Sequence, residues 1–503
     1  MFKWSVRHPS DLCIGSFFII IILVFPAMSE IIKTSPLEEY AGDGPTLHQL
    51  ADRCCKTIDI GAAVLPKPLC VKDFDEDLDD DDDEQEPHKP GADFRLPPEE
   101  NERIAKATIE GGPEGQTYAR FSSSVGSSRS GTRYARVLST EFNSIVIEHH
   151  LKWAPLCHSE PGPLPDLSPT DRLGRYDFHS TDLMVDWALT RGMKVKGHVL
   201  CWHVTTPPLV EDLSPDEVRE QLRRHIFTTM GHFRGRIKVW DVVNESLAPD
   251  GTLAENVFLR KLGPGYIEQC FRWAHEADPD AFLIYNDNKV EGMGPGSPNA
   301  AKSDGFYNLL RDLVQRGVPV HGAGIQAHFN AGGTGRGRPP TPSMVKRQIR
   351  RIGDLGLKVN ISEMDVRVSK LSVNLQQIAQ RQIYHDVICA ALTEPAFDGI
   401  WLWGFTDRHT WVSHFYYDDS PLILDEDYGR KDCYYALRDA IATMAAGGSV
   451  GGGLGPYLER DYDDEGRPWG HLWMQPEPEL TAKLDDAGND AGDSRPDWQQ
   501  NES

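Results

Sequence analysis

Residues 236–247 read R-I-K-V-W-D-V-V-N-E-S-L. The middle of this stretch is apolar and β-branched, which is typical of a strand buried on both faces of a parallel sheet. The apolar run stops at Asn244 and Glu245, and a second run, 357–361, ends in the same way just before Glu363. A β/α barrel assembles its active site from the carboxyl ends of different strands. Two glutamates in these places therefore predict such a site.

The rest of the chain repeats this strand pattern at intervals long enough for a helix. Eight apolar segments alternate with such intervals, which predicts an α/β fold with a closed (β/α)8 barrel, the TIM-barrel architecture. One connecting helix is well signalled, because Ser214 and Glu217 form a capping-box pattern and apolar residues then recur at every fourth position. The predicted strands are 119–125, 142–147, 194–200, 237–243, 281–286, 320–327, 358–363 and 399–403.

The negative charge of the chain is concentrated outside this barrel. The 503 residues carry a formal net charge of −24, yet residues 73–86 hold eleven acidic residues and no basic one, and residues 445–503 hold thirteen acidic residues against four basic ones. Such composition is typical of disordered segments and offers no surface for nucleic acid. We therefore predict an acidic, largely disordered prefix at 30–117, a barrel domain at 118–444, and a glycine-rich linker with an acidic, disordered tail at 445–503.

The first 29 residues have the pattern of a secretory leader. Lys3 and Arg7 precede an uncharged run of 17 residues, 12–28, and a basic start before an apolar run is typical of a signal peptide. The run is also just long enough to span a bilayer as a signal anchor. We predict a cleaved signal peptide and a secreted, extracellular protein, with a type II membrane anchor as the alternative. Cys201, on a predicted strand, is expected to be a buried free thiol.

Polar and aromatic side chains cluster just past the predicted strand ends. Any one of them alone has an ordinary structural role, such as a surface glutamate or a core tryptophan. Their recurrence on one rim of the barrel predicts an active site there. The candidates are Glu148, His149, Lys152, Trp153, His198, Trp202, His203, Asn244, Glu245, Gln326, His328, Glu363, Asp365, Trp403 and Trp411.

Two carboxylates beside tryptophans and neutral hydrogen-bonding groups suit the chemistry of sugars. Hydrolysis of a glycoside needs one carboxylic acid to protonate the leaving oxygen and a second carboxylate at the anomeric carbon. The chain contains no H-E-x-x-H motif and no G-x-S-x-G motif, and we predict neither a metal centre nor an organic cofactor. The pattern leaves open a hydrolase and a glycan-binding protein without turnover.

Several motifs in the same order resemble glycoside hydrolase family 10, the endo-β-1,4-xylanases, over about residues 120–440. The motifs are W-D-V-V-N-E at 240–245, S-E-M-D at 362–365, G-H-V-L-C-W-H at 197–203 and G-I-Q-A-H at 324–328. The resemblance implies a retaining, endo-acting enzyme that cleaves β-1,4-xylosidic bonds in xylan by double displacement. It also implies a polysaccharide as the binding partner, and we expect a monomer.

The resemblance also implies a role for each candidate. Glu245 is the expected general acid and base and Glu363 the expected nucleophile, with their carboxyl groups about 5–5.5 Å apart. The charge of ionised Glu363 is expected to raise the pKa of Glu245. Asn244 would bind the sugar 2-hydroxyl, while His328 would contact the nucleophile and be oriented by Asp365. The remaining sugar-binding candidates are Glu148, Lys152, His198, Trp202, Gln326, Trp403 and Trp411.

Three positions depart from the motifs of that family. His149 stands where the family has asparagine after the glutamate of the second strand, Thr205 stands where it commonly has glutamine, and Asn288 stands in the place of a tyrosine. These changes are expected in the sugar-binding positions, while both glutamates are kept. Xylan is therefore the predicted substrate, and another β-linked polysaccharide stays open.

Overall fold

The computed structural model describes residues 44–54, 58–70, 132–157, 173–174, 176–294, 296–332, 335–415 and 418–445. Eight parallel strands close into a barrel, because the first strand pairs with the second and with the last. The predicted fold class is thus confirmed. The described residues contain nine strands, eight of which form the barrel: β1 Asp59–Val64, β2 Ser144–Ile147, β3 Lys194–Cys201, β4 Val239–Asn244, β5 Phe282–Asp287, β6 Gly322–Ile325, β7 His328–Asn330, β8 Lys358–Arg367 and β9 Phe397–Leu402.

The short strand β7 is an addition to the eight that form the barrel. It pairs with the carboxyl-terminal part of β8, from Asp365 to Arg367. Strand β6 pairs with the amino-terminal part of β8, from Lys358 to Ile361, and this pairing continues the barrel. Strand β8 was predicted to end at Glu363, but it continues to Arg367. The continuation places Asp365 opposite His328 in the β7–β8 ladder.

Helices connect the strands in sequence order. The predicted capping box is present at Ser214, whose side chain accepts from the Glu217 backbone N–H while its own N–H donates to the Glu217 carboxylate at 2.8 Å. That helix buries an apolar face, which includes Val218, Leu222 and Ile226. The helices are α1 Leu47–Ala51, α2 Pro66–Cys70, α3 Arg133–Glu141, α4 Trp153–Leu156, α5 His179–Leu189, α6 Pro215–Phe233, α7 Val257–Leu262, α8 Tyr266–Ala277, α9 Ala300–Gln315, α10 Pro342–Gly353, α11 Val373–Leu392, α12 Val412–Phe415 and α13 Asp432–Ala445.

The position of β1 corrects the predicted domain organisation. We expected the first strand at 119–125, which lies outside the described residues, and we expected 30–117 to be a disordered prefix. Instead, Asp59–Val64 lies between β2 and β9, so the barrel domain begins before residue 118. The acidic run 73–86 consequently falls between β1 and α3 in the chain, within the barrel domain and not ahead of it.

Strand β1 is difficult to recognise because its inner residues are small. Gly61 and Ala63 have low β propensity, but Trp401 in β9 and Trp403 just after it need the space beside them. A Cβ atom on Gly61 would lie 2.2 Å from Cδ1 of Trp401. Ala63 and Val146 pack against Trp401 and Trp403 in one buried cluster. The small side chains of β1 are therefore what allows two indoles to fill the barrel on that side.

Strand pairing is irregular at three places near the carboxyl ends. The register shifts between His198 and Cys201 in β3, around Asp241 in β4, and between Ile361 and Met364 in β8. Such bulges re-aim side chains and are frequent next to active sites. Cys201 itself is buried and free, as predicted.

The predicted leader, 1–29, and the predicted tail from residue 446 onward lie outside the described residues. Within the residues that are described, no helix has the length and apolar character needed to cross a membrane.

Candidate active site

The predicted site residues meet at the carboxyl end of the barrel strands. Glu245 directly follows β4 and Glu363 lies in the irregular part of β8, so both glutamates stand on the same rim. Side-chain contacts or charge interactions connect ten more of the predicted residues to these two or to their neighbours, whereas Trp153 stacks on His225 with ring centres 4.7 Å apart. These ten residues are Glu148, Lys152, His198, Trp202, Asn244, Gln326, His328, Asp365, Trp403 and Trp411.

Three amide side chains link the two glutamates. Gln326 Nε2 donates to Glu245 Oε1 at 2.8 Å and to Asn244 Oδ1 at 3.2 Å. Asn286 Nδ2 donates to the same Asn244 oxygen at 2.9 Å and to Glu363 Oε1 at 2.6 Å. The two carboxylates therefore border one space whose edge is fixed by Gln326, Asn244 and Asn286.

Glu245 is held by its backbone as well as its side chain. Its φ of 54° lies in the left-handed region, which few non-glycine residues adopt and which is frequent at functional sites. Its N–H donates to the Asn286 carbonyl at 3.1 Å. On the carboxylate, Oε2 accepts from the indole N–H of Trp202 at 2.8 Å. Both carboxylate oxygens of Glu245 are thus already hydrogen-bonded before any sugar binds.

The expected direction of the Glu245 pKa is wrong for the free site. Burial raises the pKa of this carboxyl, but the hydrogen bond from Gln326, the charges of His203 and Lys302, and the hydrogen bond from Trp202 outweigh burial and lower it. Hydrogen bonds to the charged form stabilise that form. Donors from β3 and β6 therefore matter more here than the negative charge of the other glutamate.

Glu363 is bonded on both sides. Its Oε1 accepts from Asn286, and its Oε2 lies 3.1 Å from Nε2 of His328. Nδ1 of His328 is 2.8 Å from Asp365 Oδ2, and that oxygen also accepts from the indole N–H of Trp411 at 2.7 Å. Burial lowers the pKa of His328, but Asp365 and Glu363 raise it to about 10. His328 is therefore an imidazolium that donates to both carboxylates.

A lysine and a third carboxyl group lie beside the glutamates. Lys152 Nζ is 4.6 Å from the ring centre of Trp202 and 5.8 Å from that of Trp403, within the reach of a cation–π contact. Burial raises the pKa of Glu148 to about 7, with Lys152 opposing the shift and Glu363 adding to it. Glu148 is therefore partly protonated near neutral pH.

Three polar residues of the site were not among the predicted ones. Asn286 is the next-to-last residue of β5 and the register partner of Asn244, the last residue of β4, and this repeated asparagine was the available signal. Asp241 is a buried charge within the apolar strand β4. Lys302 lies on α9, 2.8 Å from Asp287, and no local pattern indicated it. In the described ranges, no group of three or more His, Cys, Asp or Glu side chains is placed to hold a metal ion.

Comparison with known proteins agrees with this geometry. The model of glycosyl hydrolase family 10 matches residues 114–440. Endo-1,4-beta-xylanase B of Thermotoga neapolitana is 36% identical over 314 residues, which cover 61% of this chain and 83% of that protein. Beta-1,4-xylanase of Dictyoglomus thermophilum is 33% identical over 331 residues, covering 60% and 83%.

A solved structure has the same barrel. Xylanase 10B from Thermotoga petrophila, in complex with xylobiose, matches with a TM-score of 0.60 and 30% identity, over 80% of this chain and 99% of that one. The family match alone extends over more than half of the present sequence. This chain therefore belongs to glycosyl hydrolase family 10.

Proposed function

We propose that this protein is an endo-acting β-1,4-xylanase that retains the anomeric configuration by double displacement. The observation that carries the proposal is the amide-bridged pair of Glu245 and Glu363 at one rim of the barrel. Membership of the family and the xylanase names of the relatives support xylan as the substrate.

In the first step, Glu363 attacks the anomeric carbon while Glu245 protonates the leaving oxygen. Asn286 and the His328 imidazolium both donate to Glu363 and hold its carboxylate in position. Sugar bound between the glutamates excludes water from Glu245, and desolvation favours the protonated form of a carboxyl group. The proton needed for the first step is thus favoured by substrate binding.

In the second step, the roles of the two glutamates change. Glu363 is esterified and carries no charge, so Glu245 acts as the base that activates water. The hydrogen bonds from Gln326 and Trp202 stabilise the carboxylate form that this step requires. The contacts around Glu245 in the free site are therefore those suited to the hydrolysis of the glycosyl-enzyme.

The sugar is held by one amide group and by aromatic faces. Asn244 uses its carbonyl oxygen for Asn286 and Gln326, while its NH2 group has no hydrogen-bond partner among the residues that the structure describes. We propose that this NH2 group donates to the 2-hydroxyl of the sugar at the cleavage point. Trp202 and Trp403 supply aromatic faces for stacking.

The test is the release of reducing ends from xylan by wild type and by Glu245→Ala and Glu363→Ala. We expect each variant to lose at least about 100-fold in kcat, and we expect NMR to show the β-anomer of the product first. Equal activity of Glu363→Ala and wild type would refute the nucleophile assignment. Binding of xylan without turnover by the wild type would establish the alternative, a glycan-binding protein.

A second candidate substrate is another β-linked polysaccharide. Asn288, which departs from the family pattern, accepts at Oδ1 from Lys302 Nζ at 2.6 Å, so this wall of the site is polar. A panel of xylan, β-glucan and mannan distinguishes the two candidates. Dominant release of sugar from either of the other two polymers would overturn xylan as the substrate.

We also propose that residues 1–29 direct the protein into the secretory pathway and that the exported enzyme is a monomer. The basic and apolar pattern of the leader supports this location. N-terminal sequencing of the exported protein should begin close to residue 29. Recovery of the intact N-terminus in the membrane fraction would instead establish the type II anchor.

A further inference from the structure

We propose that Lys196 is a positioning residue which, through Asp241, keeps the His198 imidazole neutral, so that its Nε2 accepts a hydrogen bond from a hydroxyl of the bound sugar. This inference rests on the proposed function, because it concerns how the same cleft holds its substrate. Lys196 acts on the sugar only through its ion pair with Asp241.

The three side chains form a buried group on two adjacent strands. Lys196 and His198 are alternate residues of β3 and therefore lie on the same face of the strand, and His198 is the register partner of Asp241 in β4. Asp241 Oδ2 lies 2.9 Å from Nδ1 of His198 and 3.0 Å from Nζ of Lys196. Each of the three residues is only 1% exposed.

The lysine balances the charge of this group. A buried carboxylate beside an imidazole favours the protonated imidazolium. Lys196 supplies the positive charge instead, so one cation meets one anion and the imidazole needs only the proton on Nδ1. Burial alone raises the pKa of Asp241, but the charge of Lys196 and the hydrogen bond from His198 lower it overall. The ammonium group also lies 5.1 Å from the ring centre of Trp401.

A second histidine in the same site shows the opposite arrangement. His328 contacts two carboxylates, those of Asp365 and Glu363, and is held as an imidazolium. His198 contacts one carboxylate, which it shares with a lysine. His328 thus faces two carboxylates, whereas His198 faces one carboxylate whose charge a lysine already balances. This charge balance predicts that Nε2 is a hydrogen-bond donor in His328 and an acceptor in His198.

The free nitrogen of His198 belongs to the cleft. The ring centre of His198 is 5.1 Å from Trp403 and 6.4 Å from Trp202, and the described residues supply no hydrogen-bond partner for Nε2. Besides Lys196 and Asp241, charged groups reach this part of the cleft from the neighbouring elements. They are Glu148 and Lys152 after β2, Glu245 after β4 and Glu363 in β8.

The test compares three variants of the full chain by the pH dependence of KM and kcat on xylooligosaccharides. Lys196→Met leaves Asp241 without its cation, so His198 takes a second proton and Nε2 changes from acceptor to donor. We expect KM to rise about tenfold near neutral pH, kcat to change less than about threefold, and KM to recover at higher pH as the imidazole loses that proton.

Lys196→Arg keeps the charge and is the conservative control, for which we expect KM within about threefold of wild type at every pH. The double variant Lys196→Met/Asp241→Asn removes both charges, and the amide oxygen still accepts from Nδ1. We expect the double variant to regain a KM close to that of wild type. A KM that rises in Lys196→Met independently of pH, or that the double variant fails to restore, would mean a purely structural role and overturn the proposal.

A second measurement does not depend on turnover. Nitrogen NMR of the imidazole, assigned with His198→Gln, should show one protonated nitrogen in wild type and two in Lys196→Met near neutral pH. Two protonated nitrogens in wild type would overturn the proposal even in an active xylanase. If instead wild type shows one protonated nitrogen but no xylan hydrolysis, the proposed function fails and the charge balance stands. If Lys196→Met does not fold, the double variant and Lys196→Arg decide by the same readouts.

Discussion

Deleting residues 1–117 tests whether β1 belongs to the barrel. The boundary predicted from the sequence makes this deletion harmless, whereas the pairing of β1 with β2 and β9 makes it open the barrel. Full burial of one large aliphatic side chain contributes about 1.5–3 kcal/mol, so the loss of six removes roughly 9–18 kcal/mol. The six side chains are Leu47, Leu50, Ile58, Ile60, Val64 and Leu69.

That loss is as large as the whole stability of a typical domain, about 5–15 kcal/mol. We therefore expect the fragment 118–503 to show no cooperative unfolding transition by calorimetry and no release of reducing ends from xylan. The control is the fragment 45–503, which keeps α1, β1 and α2 and should unfold at the Tm of the full chain. A fragment 118–503 that folds cooperatively and is active would refute the assignment of β1.

A pair of point variants tests the same assignment without truncation. In Gly61→Ala, the new Cβ atom would lie 2.2 Å from Trp401 Cδ1, and overpacking of this kind costs about 1–3 kcal/mol. The matched control is Gly231→Ala in α6, where an added Cβ meets nothing within 4 Å and alanine is favoured by roughly 1 kcal/mol in a helix. We expect Tm to fall in the first variant and to stay or rise in the second. A fall of equal size in both would contradict the packing of β1 against Trp401.

Three further predictions concern titration. Gln326→Leu removes a donor to Glu245, so the pKa of Glu245 rises and the alkaline limb of kcat/KM moves to higher pH, whereas the buried control Gln348→Leu leaves it in place. Because the pKa of His328 is raised to about 10, its contribution to the free energy of unfolding is complete below pH 6.5 and is lost as the pH rises through about 10. A scan of Tm against pH should show this loss, and His328→Gln should remove it. Because the pKa of Glu148 is raised to about 7, the free energy of unfolding is highest below pH 4.5 and falls as the pH rises through about 7. Glu148→Gln should therefore make Tm less dependent on pH in that window.

The strands that carry the two glutamates could be predicted because their signal is local. Each is a run of β-branched residues that ends in a carboxylate, as at Val243 and Glu245. Strand β1 lacks that signal, since Gly61 and Ala63 are small only because Trp401 and Trp403, far along the chain, fill the space beside them. The cause of the pattern is a tertiary contact, and no window of local sequence contains it.

The direction of the Glu245 pKa could not be predicted for a similar reason. The sequence shows which charges are present, and it suggested that Glu363 would dominate. The outcome depends first on the neutral donor Gln326, then on the charges of His203 and Lys302 and on a second neutral donor, Trp202. Both donors lie 2.8 Å from the carboxylate, and three different strand ends bring these groups together. Neutral hydrogen-bond donors change no charge count, so their effect becomes visible only when the strands are assembled.

The same donors explain why one glutamate can serve two opposite steps. If Glu245 had a raised pKa throughout, protonation of the leaving oxygen would be easy, but activation of water in the second step would be slow. Gln326 and Trp202 stabilise the carboxylate, and substrate desolvation opposes them only while the first sugar–enzyme complex exists. When Glu363 forms its ester, its negative charge disappears and Glu245 returns to the ionised form that its neighbours favour. The protein thus sets the resting state of Glu245 for the second step, and the bound sugar provides the change needed for the first.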